Sequence, residues 1–282
     1  MRIGMLGLGR MGTPVAERLL SAGHDVTGWD LDSSRLGTVV AAGSAVEVAS
    51  AELVLTALPG PREVEAAMGP LLPLLPVDGL WVDVTSNDPR MLEHLASRTR
   101  ASVVGAGMGG GVRAARDGSI HFFVGGAIPA VDLARPVLET LGRIDHVGTA
   151  VGDGMTAKLI ANLLWFGQAV AVTEALLLGQ SLGIAPARLR DSLSSSAGGS
   201  VFLDDYLDHL LDGDYLDGFG IDRCVEELDT LASLASDANV PFELSTLVAQ
   251  QHRDALGRFG ARGGELSAAR LLEERAGRTL RR

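Results

Sequence analysis

Arg2-Ile3-Gly4-Met5-Leu6-Gly7-Leu8-Gly9-Arg10-Met11-Gly12 is the stretch that decides the fold. A short apolar run breaks at Gly7 into G-x-G-x-x-G, and helical periodicity follows over Met11–Leu20, so the segment reads strand, tight turn, helix. Each glycine has a physical reason. Gly7 permits the turn, Gly9 lets the backbone approach a pyrophosphate, and Gly12 lets the helix pack on the strand. The N–H groups that open such a helix suit phosphate oxygens. Gly7, Leu8, Gly9, Arg10, Met11 and Gly12 are therefore candidate dinucleotide contacts. The next strand, Asp25–Trp29, leads into Asp30, about twenty residues on, where an acid hydrogen-bonds the ribose hydroxyls of NAD. That carboxylate would repel the 2′-phosphate of NADP, and Arg10 compensates poorly, so NAD is expected ahead of NADP.

Beyond this stretch, short apolar runs alternate with helical patterns. Strands are expected at Arg2–Leu6, Asp25–Trp29, Leu53–Ala57, Trp81–Val84, Ser102–Val104, Ile120–Val124 and Ile144–Val147. Helices lie between them, for example Pro129–Leu141. Such alternation indicates α/β architecture with a mainly parallel, doubly wound, Rossmann-type sheet. Asp117-Gly118 marks a tight turn. After about Gly152 the strand signal stops. Helices are expected at Met155–Leu182, Ala187–Leu193, Phe202–Leu211, Ile221–Ala238, Pro241–Phe259 and Leu266–Ala276. The chain thus divides into a dinucleotide-binding domain, 1–150, and an all-α domain, 151–282, expected to serve substrate binding and oligomerisation.

The 282 residues carry a formal charge of -11, with 46% hydrophobic and 21% charged side chains, which is a globular and acidic composition. It has no broad attraction for phosphate backbones, so neither nucleic acid nor anionic membrane is an expected partner. The single cysteine, Cys224, cannot close an intrachain disulfide and fits a reducing cytoplasm and a packing role. The opening strand leaves no room for a targeting peptide. The apolar stretch from about Leu159 to Gly183 is interrupted by Asn162, Gln168, Glu174 and Gln180, and reads as a buried core helix rather than a membrane span. The basic run Arg275–Arg282 reads as a frayed end. The six histidines are dispersed and no metal site is expected. Asp204, Asp205, Asp208 and Asp212 read as a solvated helix face.

Among 24 basic side chains Lys158 is the one lysine. It lies in M-T-A-K-L-I-A-N-L-L-W, a helical and otherwise apolar pattern. Arginine stays charged, whereas a partly buried lysine can give and take a proton. Asn162, four residues on, shares its helical face. Further candidates follow strand ends, where ligands bind in open α/β sheets. They are Leu58-Pro59 before Gly60-Pro61, and Thr85 and Ser86 in Asp83-Val84-Thr85-Ser86-Asn87-Asp88-Pro89. In the latter, Asp88 caps a helix that begins at Pro89. The run Gly105-Ala106-Gly107-Met108-Gly109-Gly110-Gly111 reads as a loop whose N–H groups could cradle a carboxylate.

The order of these motifs resembles the β-hydroxyacid dehydrogenase family, over almost the whole chain. The resemblance implies that Gly7–Gly12 binds the dinucleotide. It implies that Asp83–Pro89 matches D-x-S-T-x-x-P, with Thr and Ser exchanged, and touches substrate carboxylate and nicotinamide. It further implies that Gly109, Gly110 and Gly111 match the substrate-binding S-G-G, and that Lys158 is the catalytic general acid/base with Asn162 as its partner. Departures are equally specific. Gly109 stands for the family's serine, Leu163 for its second asparagine, and Glu226, in Phe219–Leu228, for a lysine that reaches cofactor and substrate. Dimers or tetramers are implied as well. The expected function is NAD-dependent hydride transfer between nicotinamide and a small hydroxy acid or aldehyde. An imine reductase-like activity on a cationic substrate and a non-catalytic NAD-binding protein are the rival readings.

Overall fold

A computed structural model describes all residues, Met1–Arg282. They form two compact units, Met1–Lys158 and Leu159–Arg282.

The first unit is built on eight strands: β1 (Arg2–Leu6), β2 (Asp25–Trp29), β3 (Val40–Ala41), β4 (Leu53–Thr56), β5 (Leu80–Asp83), β6 (Ser102–Gly109), β7 (Ile120–Gly125) and β8 (Gly142–Gly148). Their spatial order is β3-β2-β1-β4-β5-β6-β7-β8. All pairs are parallel except β6–β7. Helices α1 (Gly12–Ser21), α2 (Ala45–Val48), α3 (Pro61–Met68), α4 (Pro89–Ala96), α5 (Gly111–Asp117) and α6 (Ile128–Leu141) connect them. Two apolar layers result. One holds Ile3, Val15, Leu55, Val82, Phe122 and Leu138. The other holds Leu6, Val54, Val64, Trp81, Leu92 and Met155. Strands buried on both faces are what near-continuous apolar runs such as Leu53–Leu55 require.

The glycine run departs from its expected loop. Gly105–Gly109 continue β6, all paired with β7, and Gly105 also pairs with Asp83 of β5. Only Gly110 and Gly111, with φ of 102° and 65°, turn the chain into α5. Glycine has no strand propensity to betray this; antiparallel pairing with β7 supplies the stability. The β6–β7 link, occupied by the seven-residue α5, is too short for a parallel crossover, so the pair is antiparallel. Gly118, at φ 71°, ends α5 at the expected Asp117-Gly118 turn.

Helix α7 (Asp153–Ser181) begins in the first unit and continues into the second. There it is joined by α8 (Pro186–Ser194), α9 (Leu207–Asp212), α10 (Ile221–Asp237), α11 (Glu243–Phe259) and α12 (Ser267–Ala276). The segment expected as one helix over Phe202–Leu211 opens with a π-helical turn, Phe202–Tyr206. One apolar cluster gathers Ala169, Leu176, Phe202, Leu207 and Leu210, with Trp165 edge-on to Phe202 and Tyr206. Another gathers Phe166, Val170, Cys224, Leu228 and Val248. By length and composition α7 could cross a membrane, and it is not buried all round. Ile160, Leu164, Ala171, Ala175 and Leu178 form an exposed stripe at helical spacing.

The basic tail is pinned rather than frayed. Leu280 is fully buried and its N–H donates to Glu273 Oε1 at 2.6 Å. Arg281 pairs with the same carboxylate at 3.1 Å, and Arg282 with Asp212 at 2.7 Å. The buried anion Glu273 needs these donors, which is what holds the tail down.

Candidate active site

The register brings the carboxyl ends of the central strands level: Leu6 pairs with Trp29 and Thr56, Thr56 with Asp83, and Asp83 with Gly105. The chain order reverses beside β1, whose neighbours are β2 and β4, so the turns after these strands form a switch point.

At the first turn Gly7 has φ 91°, and a side chain there would collide with the Ala57 carbonyl. A β-carbon at Gly12 would strike the Gly7 carbonyl. Gly9 faces open space, with only Arg35 Nη1 nearby at 3.8 Å. No side chain caps the first turn of α1. Leu8 is buried and its N–H donates to Asp30 Oδ2 at 2.8 Å, while Asp32 N–H donates to Oδ1 at 2.9 Å. Arg35 Nη1 lies 3.9 Å from Asp30. Arg10 is exposed and Met11 half-buried. An uncapped helix start, an open glycine and a fixed carboxylate fit a dinucleotide.

The next two turns are laced together by a buried polar network. Asp83 Oδ1 accepts from Thr56 Oγ1 at 2.7 Å and from Thr85 N–H at 3.1 Å; Oδ2 accepts from Asn87 Nδ2 at 2.7 Å. Trp81 Nε1 donates to Thr56 Oγ1 at 3.0 Å. Complete burial raises the pKa of Asp83, and its donors oppose that rise. Thr85, 2% exposed, accepts Leu58 N–H at 3.0 Å and donates to the Thr56 carbonyl at 3.5 Å. Its hydroxyl is thus committed to backbone, and it fixes the loop carrying Leu58 and the exposed Pro59. Asn87 Oδ1 is buried with no hydrogen-bond partner.

Ser86 points the other way. Its Oγ accepts from Lys158 Nζ at 2.5 Å. Lys158 is 5% exposed, and its stem lies on β6: a β-carbon at Gly107 would stand 2.6 Å from Lys158 Cβ and 3.0 Å from Cγ. Neighbouring glycines serve the same close approach. A β-carbon at Gly105 would strike the Val151 carbonyl, one at Gly125 would stand 2.5 Å from Gly154 N, and one at Gly154 would strike Phe123 O. The glycine-paved face of β6–β7 is therefore the seat of the first turns of α7. One turn beyond Lys158, Asn162 Nδ2 donates to the buried Glu227 Oε2 at 2.7 Å. Sequence reasoning missed Glu227, although it adjoins Glu226 in the segment Phe219–Leu228. It also missed Arg35, which sits on no motif. Glu226 pairs within its own helix with Arg223 Nη1 at 2.7 Å.

Residues 2–152 match the family described as the NAD binding domain of 6-phosphogluconate dehydrogenase. Residues 152–272 match the one described as NAD-binding of NADP-dependent 3-hydroxyisobutyrate dehydrogenase. Among curated proteins, the 3-hydroxyisobutyrate dehydrogenase of Pseudomonas aeruginosa is 36% identical over 217 residues, 72% of this chain and 72% of its own. The 2-(hydroxymethyl)glutarate dehydrogenase of Eubacterium barkeri is 29% identical over 263 residues, 88% and 87%. A solved structure of Mycobacterium tuberculosis 3-hydroxyisobutyrate dehydrogenase with L-serine superposes with a TM-score of 0.87, covering 96% of this chain and 98% of that one, at 24% identity, a likeness that bears on the fold. With its NAD(P)-binding first half and matching helical second half, the chain belongs to the 3-hydroxyisobutyrate dehydrogenase, or β-hydroxyacid dehydrogenase, family of oxidoreductases that act on CH–OH groups.

Proposed function

We propose that the protein interconverts a small hydroxy acid and its aldehyde with NAD, and that Lys158 is the general acid/base. The observation that carries this reading is the buried amine of the chain's one lysine, held at 2.5 Å by Ser86 at the carboxyl edge of the sheet. A bound nicotinamide supplies the two-electron donor or acceptor. When the alcohol is oxidised, Lys158 as neutral amine takes the hydroxyl proton; in reverse, its ammonium protonates the forming alkoxide. Ser86 aims the amine. Asn162, its amide oriented by Glu227, orients the reacting oxygen. Ser86 and the N–H groups of Gly109, Gly110 and Gly111 hold the substrate, so positioning carries much of the rate. Gly7 to Gly12, Leu58 and Pro59 line the dinucleotide, and Thr85 acts by fixing Leu58. Glu226, paired with Arg223, stands in the family's lysine position without that lysine's charge.

Lys158→Met is expected to lower turnover by about 10²–10⁴-fold while NADH still binds in a fluorescence titration; wild-type rates in this variant would remove Lys158 from the chemistry. Asp30 supports NAD over NADP, since a 2′-phosphate would meet its carboxylate. NADH is expected to bind about tenfold or more tightly than NADPH, a difference of about 1.4 kcal/mol. Tighter NADPH binding would instead assign Arg35 to the phosphate.

The exposed stripe of α7 supports a homodimer or homotetramer. Ile160, Leu164 and Leu178 are 47%, 61% and 61% exposed, more apolar surface along one helix than a monomer ordinarily leaves in water. A second copy of the chain is the proposed cover.

A further inference from the structure

The glycines around the lysine differ in why they are glycine. Gly105 and Gly107 are imposed by close contact with Val151 and Lys158. Gly110 and Gly111 are imposed by positive φ. Gly109 is imposed by neither. Its φ lies outside the left-handed region, and a β-carbon there would find the His121 carbonyl oxygen at 3.4 Å, Phe123 Cε2 at 3.7 Å and His121 Cβ at 3.8 Å. The fold would accept a serine at 109. A glycine there leaves the edge of the Phe123 ring without the side chain that would otherwise lie against it.

That ring is poorly explained by packing. Along β7, Phe122 and Val124 point into the apolar core, so Phe123 and His121 share the opposite face. Phe123 is half-buried and belongs to none of the hydrophobic clusters; it packs on His121 with ring centroids 4.2 Å apart. Gly107 pairs directly with Phe123 and Gly109 with His121. The stem of Lys158 rests on Gly107, so ring and lysine are neighbours on one sheet face. His121 offers little to an anion. Burial and then Arg143 lower its pKa, and its Nδ1 is engaged by Arg143 at 2.8 Å. The carboxylate of Asp145 stands 3.7 Å from its Nε2.

We propose that Gly109, His121 and Phe123 form a specificity subsite for an aromatic or other flat apolar substituent, replacing the carboxylate contact made by the family's serine. The inference rests on the hydride-transfer chemistry proposed above and revises its substrate class from hydroxy acids to primary alcohols and aldehydes bearing such a group near the reacting carbon.

The test uses 2-phenylethanol and 3-hydroxypropanoate, which place phenyl or carboxylate on the same two-carbon alcohol. Each loses two electrons and one proton to NAD⁺, giving the aldehyde and NADH, and its hydroxyl proton is released. Initial rates of NADH formation should give a kcat/KM ratio favouring 2-phenylethanol by about tenfold or more, the order expected of an aromatic contact. Phe123→Ala should lower that ratio about tenfold. Gly109→Ser should shift it several-fold toward 3-hydroxypropanoate. Phe123→Leu, keeping apolar volume, should fall between, and circular dichroism melts of all three check that they fold. A wild-type ratio favouring the carboxylate, or one that Phe123→Ala leaves unmoved, overturns the subsite and leaves the dehydrogenase reading standing. Saturation-transfer NMR on the phenyl protons separates the remaining cases. Transfer that Phe123→Ala abolishes, without turnover of either alcohol, supports the subsite and overturns the dehydrogenase reading. Neither turnover nor transfer overturns the subsite.

Discussion

Lys158 and Thr85 show what individual side chains reveal before and after folding. The lysine was legible because it is singular in composition and periodic with Asn162. Thr85 and Ser86 look equivalent as letters, yet burial sorts them: Thr85 bridges Thr56 and Leu58, while Ser86 meets the amine. Nothing in adjacent residue types says which hydroxyl turns inward. His252 is a second hidden case. It is fully buried against Phe166, its Nδ1 within 2.8 Å of the Val248 carbonyl, and Nε2 has no hydrogen-bond partner. Burial lowers its pKa below the ordinary 6.5, outweighing the Val248 contact. The unfolded chain therefore binds a proton that the native imidazole refuses. The stabilising contribution is complete above 6.5 and is lost as pH falls from 6.5 toward the lowered native value, by at most about 1.4 kcal/mol per pH unit. His252→Leu should flatten this slope when urea unfolding is compared at about pH 7.5 and about pH 5.5. An unchanged slope would assign it elsewhere.

Strands and helices were legible where periodicity was strong. β1 and β2 have their expected limits, and α10 and α12 differ from theirs by one residue at one end. β3 escaped notice because it is two residues long and exposed at the sheet edge. The extension of β6 escaped because four of its eight residues have either no side chain or one methyl. Those same glycines set the geometry of α7. Gly107→Ala should cost about 1–3 kcal/mol through overpacking. By displacing Lys158 it should also lower turnover by about 10²-fold. Gly109→Ser should stay within about 0.5 kcal/mol of wild type. Thermal melts and single-substrate kinetics read both effects, and equal destabilisation by the two would refute the distinction between them.

Composition and motif order together indicated an acidic α/β-then-α chain and the family to which it belongs. They misjudged α7 and the tail for related reasons. An apolar helix looks buried from its letters, although the count of apolar residues cannot say how many faces find partners in one chain. A run of arginines looks solvated, although Glu273 anchors Leu280 and Arg281. If the α7 stripe is covered by another copy, Leu164→Glu with Leu178→Glu should reduce the species seen in sedimentation velocity to monomer mass with the fold intact. Persistence of the larger species would move the interface elsewhere.

The freedom at position 109 separates two properties that proteins usually trade against each other. Chemical preference can drift there by single substitutions while the seat of the lysine, built from closely packed glycines where replacement is costly, stays as it is. Relatives could thus diversify their diet at one adjustable site, and a laboratory library randomised at that codon should keep nearly every member folded.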